Sequence, residues 1–205
     1  MQREGDSRHL CDVKTDDMTE FVPRILIRDA TPEDVPFVAR CVLAAAGLYD
    51  YRHHSPMAEI TEEVCSTDGT IYTYRKARIA CVEGIPVGGI VAYDGATYQE
   101  ARRLTFHMID SAGGTIPRPD MEIGAGEYYL DSMAVMPSFR GYGIGSLLIR
   151  DALERARAAG FCKVSLVIES DREALVSYYA ELGFEAAGGI NALGHRYTRM
   201  EKAVF

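Results

Sequence analysis

Residues 137–146 read P-S-F-R-G-Y-G-I-G-S, directly after the strand-like run Leu130-Asp131-Ser132-Met133-Ala134-Val135-Met136. Glycine contributes no side chain and costs backbone entropy, so Gly141, Gly143 and Gly145 behind Arg140 mark a close approach of backbone to something else. Between a strand and a helix, such a turn converges N–H groups on an anion, and the helix dipole adds to the pull. Groups that can move protons lie on either side of it. Asp131 stands on the preceding strand, where alternation predicts one shared face for Asp131, Met133 and Val135, an odd place for a carboxylate unless it faces a cleft. Glu127, at the mouth of the same strand, is a second acid. Downstream, Ser170-Asp171-Arg172-Glu173 reads as a capping box, and Leu175, Tyr178, Tyr179 and Leu182 follow at helical spacing. Taken alone, that spacing makes Tyr179 a core residue.

Three ligand classes use a glycine turn of this kind. A nucleotide-phosphate loop needs a lysine that is absent here. A dinucleotide turn fits Gly141-x-Gly143 but meets Ser146 where the third small residue belongs. Glu169 does sit where a ribose-binding acid would. Against that alternative stand the excursion Pro137-Ser138-Phe139-Arg140 and the shortage of later strands. The third reading joins the strand M-A-V, Arg140-x-x-Gly143-x-Gly145, the helix and Tyr179-x-x-x-Gly183-Phe184. Together these resemble the GNAT superfamily of N-acetyltransferases, most strongly over residues 127–184.

The resemblance implies an acetyl-coenzyme A site. Backbone groups of Met133, Ala134 and Val135 would hold the pantetheine arm. Arg140, Gly141, Tyr142, Gly143, Ile144, Gly145 and Ser146 would wrap the pyrophosphate, where a side chain at Gly143 or Gly145 would stand in the place of phosphate oxygens. Tyr179 aligns with the tyrosine that protonates the departing thiolate. Asp131 lies where related enzymes often carry a glutamate, and it would serve as base directly or through water. Arg172 replaces a family asparagine, so that contact does not carry over; an arginine there would reach a coenzyme phosphate instead. The implied reaction moves acetyl from acetyl-coenzyme A to a primary amine in a ternary complex. A non-catalytic acyl-coenzyme A-binding module is the competing class.

The elements that must position these residues follow from periodicity. A strand starts at Arg24-Ile25-Leu26-Ile27-Arg28, and Thr31-Pro32-Glu33-Asp34 opens a helix running to about Leu48. A short helix near 57–66, a hairpin of strands 77–83 and 86–93, and a helix over 96–112 with Tyr98, Ala101, Thr105, Met108 and Ala112 on one side come next. A strand at 127–136, a helix at 143–159 striped by Leu148, Ala152, Ala156 and Ala159, a strand at 163–169, a helix at 171–182 and two strands complete the chain. This order predicts a mixed α/β fold, GNAT-like and three-layered, with a largely antiparallel sheet splayed between 127–136 and 163–169. Residues 1–23 read as an N-terminal extension, 24–205 as one domain, and 96–126 as an insertion within it.

The chain has 205 residues, 47% hydrophobic and 25% charged, as in a soluble globular domain. It has no run of about 18 apolar residues, no apolar leader and five scattered cysteines, which predict a cytoplasmic protein with reduced thiols. The net charge of −8 disfavours nucleic acid and weakly favours a cationic acceptor. No metal is expected, because His53, His54 and His107 lack ligand-spaced partners. They read as rim residues of an acceptor pocket with Tyr49, Tyr51 and Tyr98, taking a small molecule or peptide amine. Oligomeric state stays open, a homodimer included.

Overall fold

The structure, a computed structural model, describes residues 24–49, 57–115, 123–192 and 195–205. The chain opens with β1 (Ile25–Asp29) and α1 (Val35–Ala45). Between them the Asp34 carboxylate accepts the Thr31 N–H at 2.8 Å and both Arg28 guanidinium nitrogens at 2.5 and 2.9 Å. The first helix stops short of Leu48 because Gly47 takes φ +70, and the Leu48 N–H closes onto the Leu43 carbonyl at 2.8 Å. Then come α2 (Ala58–Ser66), β2 (Ala77–Val82), β3 (Ile85–Asp94) and α3 (Tyr98–Ser111). Helix α3 buries Tyr98, Ala101, Thr105 and Ile109, so Ile109 takes the inward place expected for Met108 and Ala112. Its Thr105 hydroxyl accepts the Ile71 N–H at 2.8 Å, tying the helix to the segment before β2.

The second half comprises β4 (Glu127–Val135), α4 (Ile144–Ala158), β5 (Lys163–Glu169), α5 (Glu173–Glu181), β6 (Glu185–Ala192) and β7 (His195–Ala203). Helix α4 buries Ile144, Leu148, Ile149, Ala152 and Ala156, while Ala159 falls past its end and is exposed. The expected capping box of α5 does not form. Arg172 is the N-cap with no side-chain cap, and the Ser170 hydroxyl instead pairs with that of Thr198 on β7 at 2.8 Å.

One sheet runs β1-β2-β3-β4-β5-β7-β6. Every neighbouring pair is antiparallel except β4 and β5. One face packs α1, α2 and α3 over Val91, Tyr93 and Tyr129; the other packs α4 and α5 over Ile90, Ala92 and Leu130. This is the predicted mixed, three-layer arrangement. A lone parallel pair is not the doubly wound sheet that dinucleotide binding needs, which removes that alternative. Among the described residues no helix is long and apolar enough to cross a membrane.

Two irregularities in β4 create the site. It pairs with β5 only through Glu127, Tyr128 and Tyr129, and from Leu130 onward the two strands part. Against β3, Val91 faces Ser132 while Ala92 faces Leu130, so Asp131 is an unpaired bulge residue. The bulge reverses the alternation. Met133 and Val135 pack toward α4, whereas Asp131 turns to Tyr93 on the opposite face. The single face expected for Asp131, Met133 and Val135 is therefore corrected.

Candidate active site

Past β4 the chain makes a 3-10 turn over Pro137–Phe139, and the Arg140 Nε donates to the Val135 carbonyl at 3.2 Å, folding the arginine back onto the strand end. Gly141 and Gly143 hold φ of +85 and +74, which side-chain-bearing residues rarely adopt. Gly143 is the N-cap of α4, and the first intrahelical bond runs from the Leu147 N–H to its carbonyl at 3.1 Å. The N–H groups of Ile144, Gly145 and Ser146 precede that bond and are available at the helix start. A Cβ on Gly143 would meet nothing within 4 Å, so conformation, and not crowding within the protein, demands that glycine. Gly88 on β3 seats the helix: a Cβ there would stand 3.0 Å from Ile144 Cγ2.

Met133, Ala134 and Val135 lie on the stretch of β4 that keeps β3 on one side and has lost β5 on the other. In an antiparallel pair, alternate residues point their N–H and C=O groups away from the partner, here into the opening. Tyr179 sits on the α5 side, 8% exposed, edge-on to Phe184 at 5.6 Å and to Tyr178 at 5.4 Å between centroids. Burial pushes its phenol pKa up, so it stays protonated, and its hydroxyl makes no hydrogen bond among the described residues.

On the other face, Asp131 accepts the Tyr93 hydroxyl at 2.7 Å and the Ser132 hydroxyl at 2.8 Å. Burial raises its carboxyl above the ordinary aspartate value, against the pull of those hydrogen bonds and of Lys76. The Lys76 ammonium lies 5.0 Å over the Tyr93 ring and donates to the Thr70 carbonyl at 2.8 Å. Tyr98 stacks on Tyr93 at 6.3 Å, and Tyr129 tilts against it at 5.8 Å. A carboxyl raised by folding loses stability as pH climbs through its folded pKa and keeps it at pH below the unfolded value. Asp131→Asn removes that penalty. Its melting temperature relative to wild type should therefore be more favourable at pH 8 than at pH 4, with equal differences showing that the carboxyl titrates ordinarily.

The acetyltransferase (GNAT) family model matches residues 46–184, more than half the chain. The chain belongs to the GNAT acetyltransferase family. Over 68 residues it is 35% identical to the L-methionine sulfoximine/L-methionine sulfone acetyltransferase of Pseudomonas aeruginosa, a match covering 33% of this chain. It spans only 40% of that relative's length. A solved acetyltransferase 26% identical to it superposes with a TM-score of 0.70 over 88% of this chain and 100% of its own. The N-acetyltransferase of Staphylococcus aureus Mu50, 24% identical, shares the fold with a TM-score of 0.72 over 86% and 100%.

In this GNAT domain, the glycine loop and the open β4 edge flank the parting of β4 and β5, with Asp131 at the bulge on the far face. Tyr179 packs on the α4 side of the sheet beside Tyr178, whose hydroxyl reaches Ser146. Arg172 is exposed and paired with Glu169 at 2.8 Å. Glu127 is buried and fully engaged, accepting from the Gly124 N–H at 2.8 Å, from the Ser165 hydroxyl and from Arg199. It anchors the chain before β4 in place of serving as a free acid. Beside it an open cavity of about 710 Å³ is lined by Ile123, Glu127, Lys163, Gly189, Arg199 and Glu201. Tyr98, expected at a pocket rim, is 4% exposed and belongs to the tyrosine wall. His107 is exposed on α3 and Tyr49 is half-buried; Tyr51, His53 and His54 lie outside the described residues. Sequence reasoning missed Tyr93 and Lys76 as neighbours of Asp131. Only the strand register brings Tyr93 there, although the adjacent polar pair Asp131-Ser132 inside an apolar strand was a signal of the bulge.

Proposed function

We propose that this GNAT protein transfers the acetyl group of acetyl-coenzyme A to a primary amine by direct attack in a ternary complex. The observation that supports it most is the parting of β4 from β5, with an anion-binding helix start at one end and proton-handling groups on both faces. The diphosphate lies on the N–H groups of Ile144, Gly145 and Ser146, and the pantetheine amides pair with Met133, Ala134 and Val135 as an added strand would. Loop residues Arg140 to Gly143 complete the wrap. The thioester then lies in the gap. Tyr179 and Asp131 sit on opposite faces of the sheet, so the coenzyme arrives from the α4–α5 side and the amine from the tyrosine-lined side.

The neutral amine nitrogen attacks the acetyl carbon, the C–S bond breaks, and its electron pair goes to sulfur. Tyr179 supplies the proton to that thiolate, and the proton lost by nitrogen goes to Asp131, directly or through one water. Two substrates meeting from two faces need no acetyl held on the protein between steps. Initial rates varied in both substrates test this: intersecting double-reciprocal lines are expected, and parallel lines would contradict direct transfer.

The acceptor is a small molecule or peptide amine, drawn by the net charge of −8. The Pseudomonas relative is named for amino-acid analogues, which favours a small polar amine. Residues 115–123 help select it. The Thr115 N–H donates to Met57 Sδ at 3.4 Å, and Gly124 is clasped by Glu127, so both ends of the segment are anchored. Shortening it should change the order of preferred amines in a thiol-release assay while coenzyme affinity stays nearly unchanged. A large loss of coenzyme binding would make the segment structural.

A further inference from the structure

Gly145 is small for a reason that phosphate binding does not supply. A Cβ there would stand 2.9 Å from the Tyr178 hydroxyl, 3.9 Å from the ring carbon bearing it and 3.7 Å from Met133 Cε. A side chain at Gly145 would thus meet a tyrosine hydroxyl of the protein itself, in addition to the phosphate oxygens expected there from the sequence. Tyr178 projects from α5 to the first turn of α4, where its oxygen lies 3.0 Å from the Ser146 Oγ. The phenol therefore sits where the α4 start meets the unpaired length of β4. Two hydroxyls carry two protons, and their mutual bond uses one, whichever oxygen donates. Among the described residues neither oxygen has another hydrogen-bond partner. The pair is half-buried, keeps one O–H for a third group, and stands beside the free N–H groups of the helix start.

We propose that Tyr178 and Ser146 form a two-hydroxyl clip that donates one hydrogen bond to the diphosphate end of the coenzyme, making Tyr178 a cofactor-binding residue. The proposal rests on the acyl-coenzyme A reading above. Its test is a mutant cycle read by calorimetric titration of coenzyme A into the full chain. Tyr178→Phe should weaken binding by about tenfold or more, the worth of one hydrogen bond to a charged group. Gly145→Ala, which pushes the phenol out of place, should weaken it comparably. In the Tyr178→Phe background Gly145→Ala should add little, because the ring carbon at 3.9 Å is an ordinary contact for the new methyl. Where Gly145→Ala does not fold by circular dichroism, Ser146→Ala replaces it, and its loss should likewise shrink in the Tyr178→Phe background. Wild-type affinity in Tyr178→Phe, or losses that simply add, would overturn the clip. A wild-type protein with no affinity for coenzyme A would overturn the acyl-coenzyme A reading itself, a result the variants are not needed to see.

Discussion

Tyr179→Phe should lower the maximal rate of acetyl transfer by about 10²-fold with little change in coenzyme affinity. The substitution keeps the ring and its edge contacts with Tyr178 and Phe184 and removes only the hydroxyl. That hydroxyl is raised in pKa by burial and has no hydrogen-bond partner among the described residues, so it is a protonated donor awaiting an acceptor. The effect falls at the low end for positioned acid catalysis because a coenzyme thiolate departs tolerably without help. Single-turnover measurement keeps product release from hiding the loss. Full turnover in Tyr179→Phe would return the residue to core packing.

Gly143→Val should weaken coenzyme binding by about 10²- to 10⁴-fold, the loss of two hydrogen bonds to a charged diphosphate. At φ +74 a β-branched residue is strained, by about 1–2 kcal/mol before any contact is counted. The loop relieves that strain by turning, and Gly143 is the N-cap that aims the Ile144, Gly145 and Ser146 N–H groups. The new side chain also projects into the open space that the structure leaves beside the helix start. Calorimetry with circular dichroism checks this. Unchanged affinity in a folded Gly143→Val protein would remove the glycine loop from the coenzyme site.

Much of this architecture could be read from residues alone, for physical reasons. The strand Lys163–Glu169 is near-continuously apolar because both of its faces are covered, and its bounds are as predicted. Proline and acids mark the 3-10 turn Pro32–Asp34 that leads directly into α1, and the glycine loop announces itself because side-chain-bearing residues rarely adopt its backbone angles. Asp131 shows the opposite case. The bulge is defined by the pairing of β4 with β3, so strict alternation along β4 put Asp131 on the face of Met133 and Val135 although the polar pair Asp131-Ser132 hinted at the break. Tyr93 became its partner through a pairing of residues 38 apart, which no local pattern reports. Ser170 was legible as a cap only while β7 was out of view; Thr198 offered the hydroxyl that it took. Tyr178 looked like a helix-stripe neighbour of Tyr179, and only the packing of α5 on α4 shows its hydroxyl against Ser146.

Transfer of acetyl from coenzyme A to an amine is tested by identifying its products. The purified protein is incubated with acetyl-coenzyme A and a panel of amino acids, polyamines, aminoglycosides and peptides with free N-termini. Free thiol and the acetylated amine are then quantified together by mass spectrometry. Acetyl transfer should give equal amounts of thiol and N-acetylated product with at least one class of amine, and no acetyl on the protein when the amine is left out. Coenzyme A binding without thiol release for any amine would contradict it and identify the protein as an acyl-coenzyme A-binding module.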